Sequence, residues 1–190
     1  MTRTAIPARR FLLFWAIALG GAAFDLGTKT AVFSWLGEPH VAAPRSIIPD
    51  ILEFQTNYNP GALWGFGREW RYSSLLFAGL SVVAGVAIVY WLFVRGAASD
   101  ARLTVALALI MAGAIGNCYD RLALGHVRDF VYFHVDPIGF RCAIFNFADN
   151  MLVAGAVLLM LLALRPERDK VEATPRADAS SFSDEAVRVS

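Results

Sequence analysis

Ser73-Ser-Leu-Leu-Phe-Ala-Gly-Leu-Ser-Val-Val-Ala-Gly-Val-Ala-Ile-Val-Tyr-Trp-Leu-Phe-Val94 carries no charged side chain from end to end. A helix needs roughly 20 mostly apolar residues to cross a hydrocarbon core, so this stretch spans a bilayer. Three more segments of the same kind lie on either side of it, at about Phe11 to Leu36, Leu103 to Tyr119 and Phe147 to Leu164. The 190 residues are 57% hydrophobic and 17% charged, which is too apolar for a soluble domain and suits a single polytopic membrane domain. A formal charge of +1 provides no basic field, so no nucleic-acid partner is expected.

Basic residues near the helix ends set the orientation. Arg3, Arg9 and Arg10 precede the first segment, Arg95 and Arg102 link the second to the third, and Arg165, Arg168, Lys170 and Arg176 follow the fourth. These regions fall on one side of a four-helix chain, the expected cytoplasmic side, although Arg45, Arg68, Arg71, Arg128 and Arg141 lie in the opposite loops. Arg9-Arg10-Phe11-Leu12-Leu13 also resembles a twin-arginine signal, with Gly21-Ala22-Ala23 as small residues for cleavage. The apolar run resumes beyond Lys29 through Leu36, which favours an uncleaved first helix.

The outer loop from Gly37 to Arg71 predicts a strand at Ile51 to Tyr58, ended by the turn Asn59-Pro60-Gly61. Trp64, Phe66, Trp70 and Tyr72 suit an aromatic belt at the membrane surface. His126 to Val135 again mixes β-branched and aromatic residues. Extended segments within about 45–72 and 124–146 therefore suggest a small sheet on the outer leaflet. The expected organisation is a cytoplasmic segment at 1–10, a four-helix membrane domain at 11–165 and a disordered cytoplasmic tail at 166–190, where almost nothing can be buried. Cys118 and Cys142 form no framework or thiolate site; inert packing is favoured, with a bridge on the outer side left open.

With this topology the polar groups of three helices fall at one depth. Asp25 and Lys29 are spaced i, i+4 on one face of the first helix. Asn117, Asp120 and Arg121 share a face at the outer end of the third, Asp129 follows in the extended stretch, and Asn146 and Asp149 stand in the first turn of the fourth. Ionisable groups so close to lipid are costly unless paired, and mark a functional site. Bland readings exist: an Asp25–Lys29 pair, Asp120 paired with Arg121, and Asn146 as a helix cap. They explain Asp129 and Asp149 less well, since the only basic residue near either is Arg128, which a strand points to its other face. Two facing carboxylates do not both ionise cheaply; they share a proton and activate water, as in aspartic proteases. His40, His126 and His134 form no zinc-protease cluster, no Gly-x-Ser-x-Gly elbow occurs, and Lys29 has no neighbouring serine for a dyad. Neither a metal nor a cofactor is expected. A non-enzymatic four-helix protein binding an ion or lipid headgroup at the outer polar cluster is the alternative.

Asp25-Leu-Gly-Thr-Lys29, Asn59-Pro-Gly-Ala62, Gly116-Asn-Cys-Tyr-Asp-Arg121, Gly125-His-Val-Arg-Asp-Phe130 and Phe145-Asn-Phe-Ala-Asp149 together resemble the motif series of bacterial lipoprotein signal peptidases, signal peptidase II. The resemblance runs in order from about Phe11 to Leu164. It implies an aspartyl endopeptidase of the inner membrane, monomeric among membrane lipids, that removes signal peptides from diacylglyceryl-modified prolipoproteins, with its active site facing the periplasm. It implies Asp129 and Asp149 as the catalytic pair, with Asp120 the one rival. Asp25, Lys29, Asn59, Gly61, Asn117, Asp120, Arg121 and Asn146 would shape the site or hold substrate. Pro60 and Leu63 depart from the family pattern and bear on the shape of the substrate loop.

Overall fold

The computed structural model describes residues 7–41, 43–61, 66–67 and 69–164. The expected tail at 166–190, residues 1–6 of the N-terminal segment, and Leu63 and Trp64 lie outside the described residues. The described chain runs α1 (Ala8–Leu36), β1 (Arg45–Ile48), β2 (Leu52–Asn59), α2 (Ser73–Val89), α3 (Ala101–Leu124), β3 (Val127–Val135), β4 (Phe140–Arg141) and α4 (Phe147–Ala163), with one π-helical turn at Tyr90–Val94 prolonging α2.

By length and apolar character α1, α2 with its π turn, and α3 are each able to cross a membrane; α4, with 17 residues, is equally apolar but shorter. Large apolar side chains such as Leu75, Leu80, Val83 and Val86 on α2 and Val153 and Leu161 on α4 point outward, as they do where the surrounding solvent is lipid. The fold is thus that of a helical membrane protein with a small antiparallel sheet.

Helix α3 is the hub, packing against α1, α2 and α4. Its neighbours come close because its packed faces are small: Ala106, Ala108, Ala112, Gly113 and Gly116 are all buried. A Cβ on Gly113 would sit 2.3 Å from the Ala148 carbonyl oxygen of α4, and one on Gly116 would sit 2.5 Å from Asp25 Oδ2 of α1. Only glycine permits both approaches. Asp100 caps α3 by accepting from the Arg102 and Leu103 amides, and the next residue at positive φ is Gly125, at φ 80°. The helix therefore continues five residues past Tyr119, the expected end of the span, and carries Asp120 and Arg121 within its regular turns.

The sheet has the order β1-β2-β3-β4, antiparallel throughout. The expected strands at Ile51 to Tyr58 and His126 to Val135 appear within a residue or so, and β1 and β4 extend them at the two edges. A register shift between Phe54 and Asn57 sets Asn57 opposite Asp129. Phe130, Val131 and Phe54 pack on Val32, Phe33 and Leu36 at the C-terminal end of α1, fixing the sheet to the helices. Both cysteines are free, so the bridge left open by the sequence is not formed.

Candidate active site

On α1, Lys29 Nζ lies 2.7 Å from Asp25 Oδ2, and both side chains are fully buried. The second Asp25 oxygen accepts the Ala148 amide at 2.8 Å, one of the amides that the start of α4 leaves without a helical partner. Lys29 reaches further, to Asp120 Oδ2 at 3.3 Å and Asn117 Oδ1 at 2.9 Å. An ammonium only donates, so it holds the Asn117 carbonyl toward itself and turns the amide NH2 outward. That group donates to Asp149 Oδ1 at 2.8 Å.

Asn146 completes the frame. Its Nδ2 donates to Asp129 Oδ1 at 2.6 Å and to Asn117 Oδ1 at 3.2 Å. Its Oδ1 accepts the Asp149 amide at 3.0 Å, while its own amide donates to Asp149 Oδ2 at 3.2 Å, a reciprocal capping box. The cap expected of Asn146 is present, and Asp149, which the bland readings explained less well, shares it. From β2, Asn59 Nδ2 donates to Asp129 Oδ2 at 3.1 Å, and Asn59 Oδ1 accepts the Gly61 amide at 3.0 Å, a side-chain turn that spans Pro60. Ser73 holds the Pro60 carbonyl at 2.8 Å.

Asp129 and Asp149 thus receive hydrogen bonds from overlapping amides, yet neither forms an ion pair among the described residues. Asp129 is 1% exposed. Burial, and then the neighbouring Asp149 carboxylate, push it up to about 7, against the opposing pull of the Asn146 and Asn59 donors. A carboxyl titrating there is suited to proton transfer at neutral pH.

One expected pairing is overturned. Asp120 does not partner Arg121; its carboxylate is taken by Lys29 and by Arg128, whose Nη2 lies 2.8 Å from Oδ1. Arg121 turns toward the loop after β2, donating to the Gly61 carbonyl at 3.0 Å and to the Asn117 carbonyl at 3.3 Å, with its guanidinium 5.5 Å from the Phe77 ring centre. The reason is geometric. Adjacent helical residues point about 100° apart, so Asp120 faces α1 and β3 while Arg121 faces the start of α2.

All the residues implied by the resemblance are brought into this one region. Asp25, Lys29, Asn117, Asp129, Asn146 and Asp149 form a continuous set of ion pairs and hydrogen bonds with Asn59 and Asp120; Arg121 joins it from α3 and Gly61 from the loop. Sequence reasoning passed over Gly116, Ser73, Phe77 and Arg128. Gly116 lay inside a quoted motif, but its contact with Asp25 crosses between helices and leaves no periodic signal.

The sequence matches the Signal peptidase (SPase) II family over residues 17–165. The chain belongs to the signal peptidase II family. A lipoprotein signal peptidase of Rhodopirellula baltica is 38% identical over 168 residues, covering 83% of this chain and 74% of the relative. One from Pseudomonas fluorescens is 42% identical over 118 residues, covering 60% and 67%. A bacterial membrane enzyme solved by the in meso method at 2.3 Å resolution superposes with a TM-score of 0.72 at 28% identity, covering 90% of this chain and 97% of that one. As a signal peptidase II the protein is an aspartic-type peptidase of a bacterial membrane. The non-enzymatic alternative is left without support.

Proposed function

We propose that the protein is an endopeptidase that removes signal peptides from diacylglyceryl-modified prolipoproteins, with Asp129 and Asp149 as its catalytic dyad. The observation that carries the dyad is a charge count. The constellation, buried except for the half-buried Arg128 and Asp149, sets three cations, Lys29, Arg121 and Arg128, against four carboxylates, Asp25, Asp120, Asp129 and Asp149. Asp25 and Asp120 are matched by ion pairs, so a single proton shared by Asp129 and Asp149 makes the whole set neutral. That is the state an aspartyl mechanism starts from.

The protonated member donates to the scissile carbonyl oxygen, and the ionised member takes a proton from a water as that water adds to the carbonyl carbon. The tetrahedral intermediate then collapses: the C–N bond breaks and the amine leaves with a proton from the dyad. Asn59, Asn117 and Asn146 hold the two carboxyls in place. Lys29 and Asp25 brace Asn117 and the start of α4, while Gly61 and Arg121 form the wall nearest the outer loop.

In this reading all four helices cross the inner membrane as one peptidase domain at 11–165. The segment 1–10 and the tail at 166–190 are cytoplasmic, and the dyad faces the periplasm. The enzyme works as a monomer surrounded by lipid, and the acyl chains of its substrate lie in the bilayer between helices. Purified protein, tested by gel shift on a lipidated prolipoprotein, should cleave it whether or not a chelator is present. Asp129→Asn and Asp149→Asn should each insert normally and leave the precursor intact. Full cleavage by either variant would remove the dyad from consideration.

A further inference from the structure

We infer that Arg128, which neither touches the dyad nor belongs to the residues implied above, is a positioning residue for the reaction, acting through Asp120 and Lys29. The inference rests on the dyad reading above.

The geometry is unusual for a strand residue one position away from a proposed catalytic carboxyl. Arg128 encloses Asp120 from three sides: its backbone amide donates to Oδ2 at 3.0 Å, its Nε lies 3.2 and 3.3 Å from the two oxygens, and its Nη2 lies 2.8 Å from Oδ1. Its Nη1 donates to Thr30 Oγ1 of α1 at 3.3 Å. The side chain is 14% exposed, whereas Asp120 is fully buried. One side chain thereby joins β3, α3 and α1 at the residue next to Asp129.

The electrostatic consequence reaches further than the contact. Asp25, Asp120 and Lys29 are all completely buried. Those three alone carry a net charge of −1, and with Arg128 they are neutral. A neutral set leaves Lys29 free to spend a donor on Asn117 Oδ1, and that contact aims the Asn117 amide at Asp149. A path of ion pairs and hydrogen bonds runs from Arg128 through Asp120, Lys29 and Asn117 to Asp149. Asn146 branches from it to Asp129. Bidentate arginine suits this role better than a point charge, because its planar fork fixes orientation as well as charge.

Other charged or titratable groups face this region. From α1 come Asp25 and Lys29, from α3 Asp120 and Arg121, from β2 Tyr58, from the turn before β3 His126, and from the segment after α1 Glu38. Burial and a hydrogen bond to Glu38 push Tyr58 up to about 12, so it remains neutral. Burial and the Arg128 charge push the His126 imidazole, tilted against Tyr58, down, against the opposing pull of Asp120 and Glu38.

The test is the pH profile of kcat/KM on a lipidated prolipoprotein for Arg128→Met, Arg128→Lys and the double variant Asp120→Asn/Arg128→Met. The single Met variant leaves one uncompensated negative charge beside the dyad, which holds its protons more tightly. Its bell-shaped profile should move to higher pH by roughly 0.3 to 1 unit, as expected for a unit charge on the order of 10 Å away. The Lys variant keeps the charge and should keep the wild-type midpoints with a lower maximum. The double variant removes both charges and should return the profile to its wild-type position. A uniform fall in rate with unmoved midpoints, or a double variant shifted as far as the single, overturns the inference. So does failure of both Met variants to fold, because the role is then structural. If the single variant fails to fold while the double folds and shows the wild-type profile, the charge argument stands. Asp129→Asn is run alongside; activity retained there refutes the dyad itself, independently of any result at Arg128.

Discussion

Replacing Asp129 with asparagine should abolish cleavage and yet make the protein harder to unfold at alkaline pH. In the folded chain this carboxyl is pushed from 3.8 to about 7 by burial and by Asp149. The folded state therefore binds its proton more tightly than the unfolded state does. Stability associated with the protonated group is fully present below about pH 4 and is lost as pH rises to about 7, since unfolding there releases a proton. At about 1.4 kcal/mol per unit the loss reaches about 4 kcal/mol above pH 7. With 1% exposure there is little solvent screening to reduce it. Asparagine has the shape of the protonated acid and cannot ionise, so the variant escapes the loss. Thermal unfolding in detergent, followed by tryptophan fluorescence from pH 4 to pH 8, should show the variant slightly below the wild type at the acid end, where its NH2 cannot accept one of the two amide bonds that Asp129 receives. The variant should gain an advantage on the order of 10 °C at the alkaline end, taking roughly 2–4 °C per kcal/mol for a chain of this size. A constant offset across the range, or a wild-type advantage that grows with pH, would refute the reasoning.

Lys29→Met leaves fully buried Asp25 with no ion-pair partner and Asp120 with Arg128 alone, so stability should drop by about 3–5 kcal/mol; adding Asp25→Asn should recover a measurable part of it in the same unfolding assay. Gly113→Ala drives a methyl group toward the Ala148 carbonyl, 2.3 Å from the added Cβ, and should cost about 1–3 kcal/mol. Because Ala148 adjoins Asp149, kcat should fall with it, and an alanine variant of full stability and activity would contradict the close approach of α3 and α4. Asn146→Ala removes the cap of α4, worth about 0.5–2 kcal/mol, and also a donor to Asp129. Losing a donor to the ionised form should carry the acid limb of the pH–rate profile upward, and an acid limb that stays in place or moves down would count against that hydrogen bond.

Much of this protein was decided locally and could be read without coordinates. Uninterrupted apolar runs such as Ser73 to Val94 have one low-energy fate in a bilayer, because only a helix satisfies its own backbone there. Alternating aromatic and β-branched residues around Phe54 and Phe130 marked the strands, and the i, i+3 and i+4 spacings of Asp25–Lys29, Asn117–Arg121 and Asn146–Asp149 assigned each polar group to a helix face. Depth followed from topology, so the gathering of these groups at one level was legible as well.

Beyond the Asp25–Lys29 pair and the Asn146 cap, which polar group pairs with which was not. Asp120 lies beside Arg121 in the chain but opposite Lys29 and Arg128 in space, since neighbouring helical residues diverge and hydrogen bonding depends on what the next helix presents. Arg128 looked irrelevant because alternation along β3 turns it away from Asp129, and that same alternation delivers it to Asp120. The unpaired condition of Asp129 and Asp149 emerges only after every nearby cation has been assigned to another partner. Pairing inside a low-dielectric site depends on distances of a few ångströms between separate elements. Here those distances were set by Gly113 and Gly116, whose missing side chains let three helices meet.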